Sequence, residues 1–339
     1  MATEQTDALP VDRARLRALP LLLGQRARTF VEASWRGVVP FGALILLCIV
    51  FSIWTPTFLT FNNMVNIASQ SAVLLIIAIG AAFIIVMGSI DLSVGAVASI
   101  AGIMAAKAAD QYGAFALVVA VLVGAGCGLG NGLIFTALRI PSFLVTLGTM
   151  SIVTGLGLII TNSIPINVTN GAFLNIASYD FHTIPVLVVW ALGVYLLSLL
   201  LASRTRFGRF IYAIGGGERV ALVSGVPIMR YKIYAFILSG LLAGLAGGLL
   251  ASWGGSGGPD IGQSYMLSAI AAVVMGGIPL TGGYGGIGRA LLGVLVIGVL
   301  SNGLNLAGVG AYGQTVAQGL VIIVAVAFSL DRSKLSVLK

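Results

Sequence analysis

The stretch that decides the fold is "AVLLIIAIGAAFIIVMGSIDLSVGA", residues 72–96. Ala72–Val86 carries no charge and no proline, and it is far longer than a β-strand run, so it reads as a helix. With the residues before it, the run reaches the roughly 20 apolar residues that cross a bilayer core. A Gly, a Ser and the carboxylate of Asp91 then intervene before apolar sequence resumes. An ionised group between two such runs is costly to bury, and its place has to be accounted for.

The rest of the chain repeats the pattern. Hydrophobic residues make up 58% of the 339 and charged residues 8%, with a mean hydropathy of +1.08. Soluble domains carry about 25% charged residues, so a soluble protein is excluded. Further apolar runs centre near positions 47, 100, 126, 152, 193, 242, 272, 297 and 322. The fold class is an all-α integral membrane protein of about ten transmembrane helices, the length of each run being the criterion.

Charge placement orients it. With the N-terminus in the cytoplasm, ten spans put Arg13, Arg15, Arg17, Arg26, Arg28 and Arg36 in the leading segment. Arg139, Arg204, Arg206, Arg209, Arg219, Arg230, Lys232, Arg289, Arg332, Lys334 and Lys339 fall on the same side. Only Lys107 of the 18 basic residues falls near an outer end, as the positive-inside rule requires. Both termini are therefore expected in the cytoplasm. Residues 1–37 read as a basic cytoplasmic segment, 38–330 as the transmembrane domain and 331–339 as a cytoplasmic tail. The net charge of +8 is spread over many short loops, so it reads as orientation and not as a nucleic-acid surface. The first apolar run has no small-residue cleavage pattern after it and is taken as an uncleaved helix.

Enzymatic readings find no machinery. There is no phosphate-cradling G-x-x-x-x-G-K-[ST], and Gly283-Tyr-Gly285-Gly-Ile-Gly288 follows a membrane run where a dinucleotide motif would follow a strand. Cys48 and Cys127 lie in apolar spans as small packing residues, and His182 is the only histidine. No metal or cofactor is expected in the chain.

An internal repeat is visible. Met87-Gly-Ser-Ile-Asp-Leu-Ser-Val-Gly95 aligns with Met275-Gly-Gly-Ile-Pro-Leu-Thr-Gly-Gly283, identical at Met, Gly, Ile, Leu and the last Gly. Each nonamer follows an Ala/Ile-rich run and precedes a run reaching an Asn-Gly pair, Asn131-Gly132 and Asn302-Gly303. The pattern suggests a parallel repeat with both nonamers at cytoplasmic turns. Asp91 would then sit where water reaches it. Together with Ser93 it would cap the next helix or touch a gate. Pro279, the counterpart of Asp91, is suited to a first helical turn.

The longest cytoplasmic loop, 203–232, contains a second signal. Gly217 ends a glycine triplet, Glu218 suits a first turn, and Gly225 followed by Pro227 gives a stop. A helix of under two turns, Glu218 to Ser224, is expected on the membrane surface, resting on anionic headgroups or docking onto a soluble partner.

At this point the chain resembles the permease subunits of ribose-type ABC importers, which take up sugars and related small polar molecules. The carriers are "GSIDLSVGA", "PSFLVTLGTM" followed by "TNSIPI", "TRFGRFIYAIGGGERVALVSGV", "AIAAVVMGGIPLTGGYG" and "LSNGLNLAGV", in that order between about Phe61 and Leu330. The resemblance implies a multi-pass protein of the bacterial inner membrane that works with a second permease copy or a homologous permease. A periplasmic or lipid-anchored binding protein would deliver the solute, and a cytoplasmic ABC ATPase would bind ATP and Mg. The loop helix then looks like a coupling helix that docks on the ATPase, through Gly217, Glu218, Arg219, Ala221, Ser224 and Gly225. Branched-chain amino acid permeases are a related alternative, and a self-contained channel or secondary carrier is a more distant one.

Polar residues within the spans are the candidates for the solute path. Asn63, Asn66 and Gln70 recur at i, i+3 and i+7 near an outer end, Asn302 and Asn305 repeat the i, i+3 spacing, and Thr146 and Thr149 add hydroxyls. Such groups either line a polar path, exchanging hydrogen bonds with hydroxyls, or bond across the bundle. Apart from Asp91 the spans offer essentially no buried ionisable relay. The work of transport is therefore expected to come from outside the chain.

Overall fold

The computed structural model describes residues 40–181 and 184–329. The segment 1–37, the tail 331–339 and His182 lie outside the described residues. The element order is α1 (Pro40–Trp54), α2 (Phe61–Val86), α3 (Val94–Tyr112), α4 (Ala116–Leu138), α5 (Ser142–Thr161), α6 (Gly171–Ser178), α7 (Val186–Arg204), α8 (Arg206–Gly216), α9 (Glu218–Val223), α10 (Ile228–Trp253), α11 (Gln263–Met275), α12 (Ala290–Leu306) and α13 (Ala311–Ser329). Two-residue strands β1 (Ile166–Asn167) and β4 (Ser256–Gly257) pair antiparallel, as do β2 (Asp180–Phe181) and β3 (Ile184–Pro185).

Each expected apolar run is a helix among the described residues, but not every one is long and apolar enough to cross a membrane by itself. Among the described residues six helical stretches are long and apolar enough to cross a membrane, while Pro40–Trp54, Gln263–Met275 and Tyr312–Val324 are shorter. One of the six, Val94–Leu138, is a 45-residue stretch. Straight, it would be about 68 Å long, twice what a bilayer needs. Gly113, at φ +54°, bends it into α3 and α4, which pack side by side. At 13 residues α11 is about 20 Å long, too short for the hydrocarbon core.

Helices α2 and α10 form the centre, and α2 is apolar on all sides because it is enclosed on all sides. Helices α5 and α7 are peripheral, presenting Ile152, Ile159, Leu196 and Leu197 outward, where lipid or another subunit would cover them. The most extensive seam is between α4 and α10. A Cβ on Gly128 would drive into the Phe236 carbonyl, and one on Gly124 into that of Gly240. Small residues four apart let the two backbones touch, which is how helices associate without a hydrophobic driving force. The glycines on the opposite side of α4, Gly126 and Gly130, have open space.

The two nonamers share one backbone turn, in a register shifted by one residue. Gly88 N–H donates to Ile85 O at 2.9 Å and Ser89 N–H to Ile84 O at 3.0 Å. Gly277 N–H donates to Val274 O at 2.9 Å and Ile278 N–H to Val273 O at 3.2 Å. Both are helix ends closed by a left-handed glycine, Gly88 at φ +81° and Gly277 at φ +85°. Identity pairs Gly88 with Gly276, whereas the conformation pairs it with Gly277. The two turns lie together, since Gly283 N–H donates to Val86 O at 2.8 Å and Gly215 of α8 packs against both residues. After the turn the copies diverge. Pro279 is not in a first helical turn: its carbonyl accepts from Gly282 N–H at 3.0 Å, and α12 begins only at Ala290, after a 3-10 turn at Ile287–Arg289. The glycines at 282, 283 and 285, all at positive φ, keep this loop from coiling.

Candidate functional site

Asp91 is buried, at 4% exposure, contrary to the expectation that water reaches it. Depth explains the difference. The Asp91 partner Ser93 is bonded by Asn131, seven residues before the end of α4, so the segment after α2 turns back about 10 Å into the bundle before α3 starts.

The carboxylate is fully engaged there. Its Oδ1 accepts from Ser93 N–H at 2.9 Å and from Ser93 Oγ at 2.6 Å, and its Oδ2 accepts from Ser239 Oγ on α10 at 3.0 Å. A bond to the N–H two residues on is an Asx turn, so Asp91 sets the entry to α3. It bonds no N–H of the first helical turn, and Ser93, the residue before α3, makes no side-chain cap. Ser93 Oγ in turn accepts from Asn131 Nδ2 at 2.9 Å, and Asn131 Oδ1 accepts from Thr149 Oγ1 at 2.6 Å. One connected network thus joins α4, α5, α10 and the break between α2 and α3.

The irregular backbone of that break is served by α5. Ile90 N–H donates to Ser142 Oγ at 3.1 Å and Leu92 N–H to Thr146 Oγ1 at 3.0 Å. A backbone donor inside a membrane bundle needs such a partner. Thr146, expected on the path, is enclosed in this scaffold at 0% exposure, while Thr149 is half-buried at its edge.

At the far end Asn63 and Asn302 meet. Asn63 Nδ2 donates to Asn302 Oδ1 at 3.0 Å, Asn302 Nδ2 donates back to Asn63 Oδ1 at 2.9 Å, and Asn63 Nδ2 also reaches Phe58 O. Both are buried, so their amides fasten α2 to α12 and face no open path in this conformation. Asn66 and Asn305 are exposed and Gln70 is half-buried.

The expected surface helix is present as α9, six residues long, led by Gly217 with Glu218 in its first turn. It ends in the same type of turn as α2: Gly225, at φ +79°, donates to Leu222 O, and Val226 N–H to Ala221 O. Ser224 Oγ donates to Val220 O at 2.8 Å. Ala221 faces inward, whereas Val220, Leu222 and Val223 are exposed, Val223 at 85%. Arg219 is exposed beside them. Next to α9 a cavity of about 350 Å³ is lined by Met87, Ser89, Phe135, Ser142, Glu218 and Lys232, among others. The basic residues Arg139, Arg204, Arg206, Arg209, Arg219, Arg230, Lys232 and Arg289 sit on the loops and helix ends that gather at this end. Lys107, 13 residues into α3 from Val94, lies about 20 Å away along that helix. Among the described residues no group of His, Cys, Asp and Glu could hold a metal ion.

The profile of the family described as "Branched-chain amino acid transport system / permease component" matches residues 63–326. The chain belongs to this permease family. It is 42% identical over 316 residues to the ribose import permease protein RbsC of Bacillus subtilis, covering 91% of this chain and 97% of that protein. It is 38% identical over 292 residues to RbsC of Escherichia coli, covering 84% and 90%. To the D-allose transport system permease protein AlsC of Escherichia coli it is 37% identical over 303 residues, covering 88% and 92%. No solved structure matches the chain.

Within this permease, three members of the buried network were not singled out in the sequence as site residues: Asn131, Ser142 and Ser239. Asn131 was visible as half of an Asn-Gly pair, and Ser239 as a lone hydroxyl in an apolar run. Nothing local in either signal named Asp91 as the partner.

Proposed function

We propose that this chain is the membrane subunit of an ATP-driven importer and forms the translocation path for a simple sugar or related polyhydroxylated solute. The observation that carries the reading is α9, a six-residue helix with Val220, Leu222 and Val223 exposed, at the arginine-rich end of a permease-family chain. Exposed apolar residues on so short a helix suit burial against a protein partner better than solvation. That partner is a cytoplasmic ABC ATPase, which binds ATP and Mg, while this chain holds no cofactor and catalyses no hydrolysis. Gly217, Glu218, Arg219, Ala221, Ser224 and Gly225 shape the docking element.

By the positive-inside rule we read the arginine-rich end as the cytoplasmic one, in a bacterial inner membrane. In this reading there are ten spans with both termini inside, and the short α11 and the break before α3 are discontinuous elements of the kind transporters build sites from. A periplasmic or lipid-anchored binding protein docks at the opposite end, and a second permease completes the path. Asn66 and Asn305, both exposed, and Gln70 and Thr149, both half-buried, are the path residues, offering amides and a hydroxyl to solute hydroxyls.

The sugar class is supported by the names of the ribose and D-allose relatives. Branched-chain amino acids are the second reading, favoured by the family description alone. Uptake of labelled D-ribose by membranes holding this chain, its ATPase and its binding protein, competed with D-allose and with L-leucine, separates the two. Competition by D-allose supports the sugar reading, and competition by L-leucine alone overturns it.

A further inference from the structure

The Lys232 side chain, on α10, bridges α9 and α4. It stands in the first turns of α10, and its Nζ folds back 2.8 Å from Glu218 Oε1 on α9. The same Nζ sits 4.7 Å from the centroid of the Phe135 ring on α4. Its side chain is only 13% exposed, whereas that of Glu218 is 59% exposed. An ammonium so enclosed needs partners, and the carboxylate and the ring face supply them.

Phe135 has a fixed position of its own. Its ring meets that of Phe236 edge-on at 5.6 Å, and it lines the cavity beside Met87, Ser89 and Ile90, the start of the break before α3. One helical turn earlier on the same face of α4 is Asn131, which bonds Ser93 and Thr149 in the Asp91 network. A displaced α9 that keeps its ion pair therefore draws Lys232 off the ring, and the ring stands at the foot of the helix that holds the network.

We propose that Lys232 is a positioning residue that couples α9 to α4, so that movement of the docked helix reaches the Asp91 network through Glu218, Lys232 and Phe135. The inference rests on the reading of α9 as the ATPase-docking element. It makes Lys232 a transmitter and gives it no part in docking or in binding solute.

The test uses the assembled importer in lipid nanodiscs, with ATP hydrolysis measured without and with D-ribose-loaded binding protein. Lys232→Met is expected to keep the ATPase bound and to lower the ratio of stimulated to basal hydrolysis about fivefold or more, the low end of measured coupling effects. Lys232→Arg, which keeps both the charge and the stacking, is expected to restore the ratio. Phe135→Leu should lower it as Lys232→Met does, and the double variant should be no worse than either single one, because both interrupt one route. Full stimulation in Lys232→Met and Phe135→Leu overturns the proposal, as does an equal loss of basal and stimulated rates that Lys232→Arg does not repair. If Lys232→Met fails to accumulate, Phe135→Leu decides, since it leaves the ion pair in place; if neither accumulates, the contact is structural and the proposal falls. If the unaltered chain retains no ATPase, the reading of α9 fails and the coupling role with it, whereas normal assembly with unaffected variants sinks the coupling role alone.

Discussion

Asn63 and Asn302, 239 positions apart in sequence, hold each other by two reciprocal amide hydrogen bonds of 3.0 and 2.9 Å. Each amide uses both an oxygen and a nitrogen on the other, in a buried site between α2 and α12. Asn63→Ala and Asn302→Ala should each cost about 1–3 kcal/mol, since each leaves a buried amide without its partner. The double variant should cost less than their sum. Unfolding midpoints in detergent check this, and strict additivity would show that the two do not interact.

Asp91 gives a sharper contrast. Asp91→Asn keeps an oxygen for the two bonds from Ser93 and can offer its amide to Ser239 Oγ, so folding and most transport should survive. Asp91→Leu strands three donors, at about 1–3 kcal/mol each, a large part of a typical stability of 5–15 kcal/mol. Monodisperse yield on size exclusion should therefore fall sharply for Leu and little for Asn.

The α4–α10 seam predicts a difference between neighbours of one residue type. Gly128→Ala forces a Cβ onto the Phe236 carbonyl and should cost about 3 kcal/mol or more. Gly126→Ala and Gly130→Ala meet open space and should cost nothing, or stabilise through helix propensity. Thermal unfolding of the three variants reads this directly.

On α9, Val223→Glu puts a charge on an outward apolar position. The chain alone should keep its unfolding midpoint, because surface substitutions away from buried contacts change stability within about 0.5 kcal/mol. Co-purification of the ATPase should be lost. Normal assembly would place the docking surface elsewhere.

The sequence carried the helices well because the bilayer imposes length and apolarity, which can be read residue by residue. Boundaries of α9 were legible for a different reason: a glycine at each end and an acidic first turn are local signals. The depth of Asp91 was not legible, because the return of the chain into the bundle depends on Asn131, Ser142, Thr146 and Ser239, hydroxyls and an amide from three other helices. The repeat misled by one residue because the second copy offers two consecutive glycines, Gly276 and Gly277, and only the backbone dihedral says which one turns the chain. The same limit applied to Asn63 and Thr146, whose spacing on a helix face could not say whether the groove beside them was open or closed.

Reconstituted uptake tests the central claim most directly. Liposomes holding this chain with its ATPase, supplied with binding protein and labelled D-ribose outside and ATP inside, should accumulate the sugar, and omission of the ATPase or of ATP should abolish uptake. Uptake that persists without the ATPase would contradict the account and make the chain a self-contained channel or carrier.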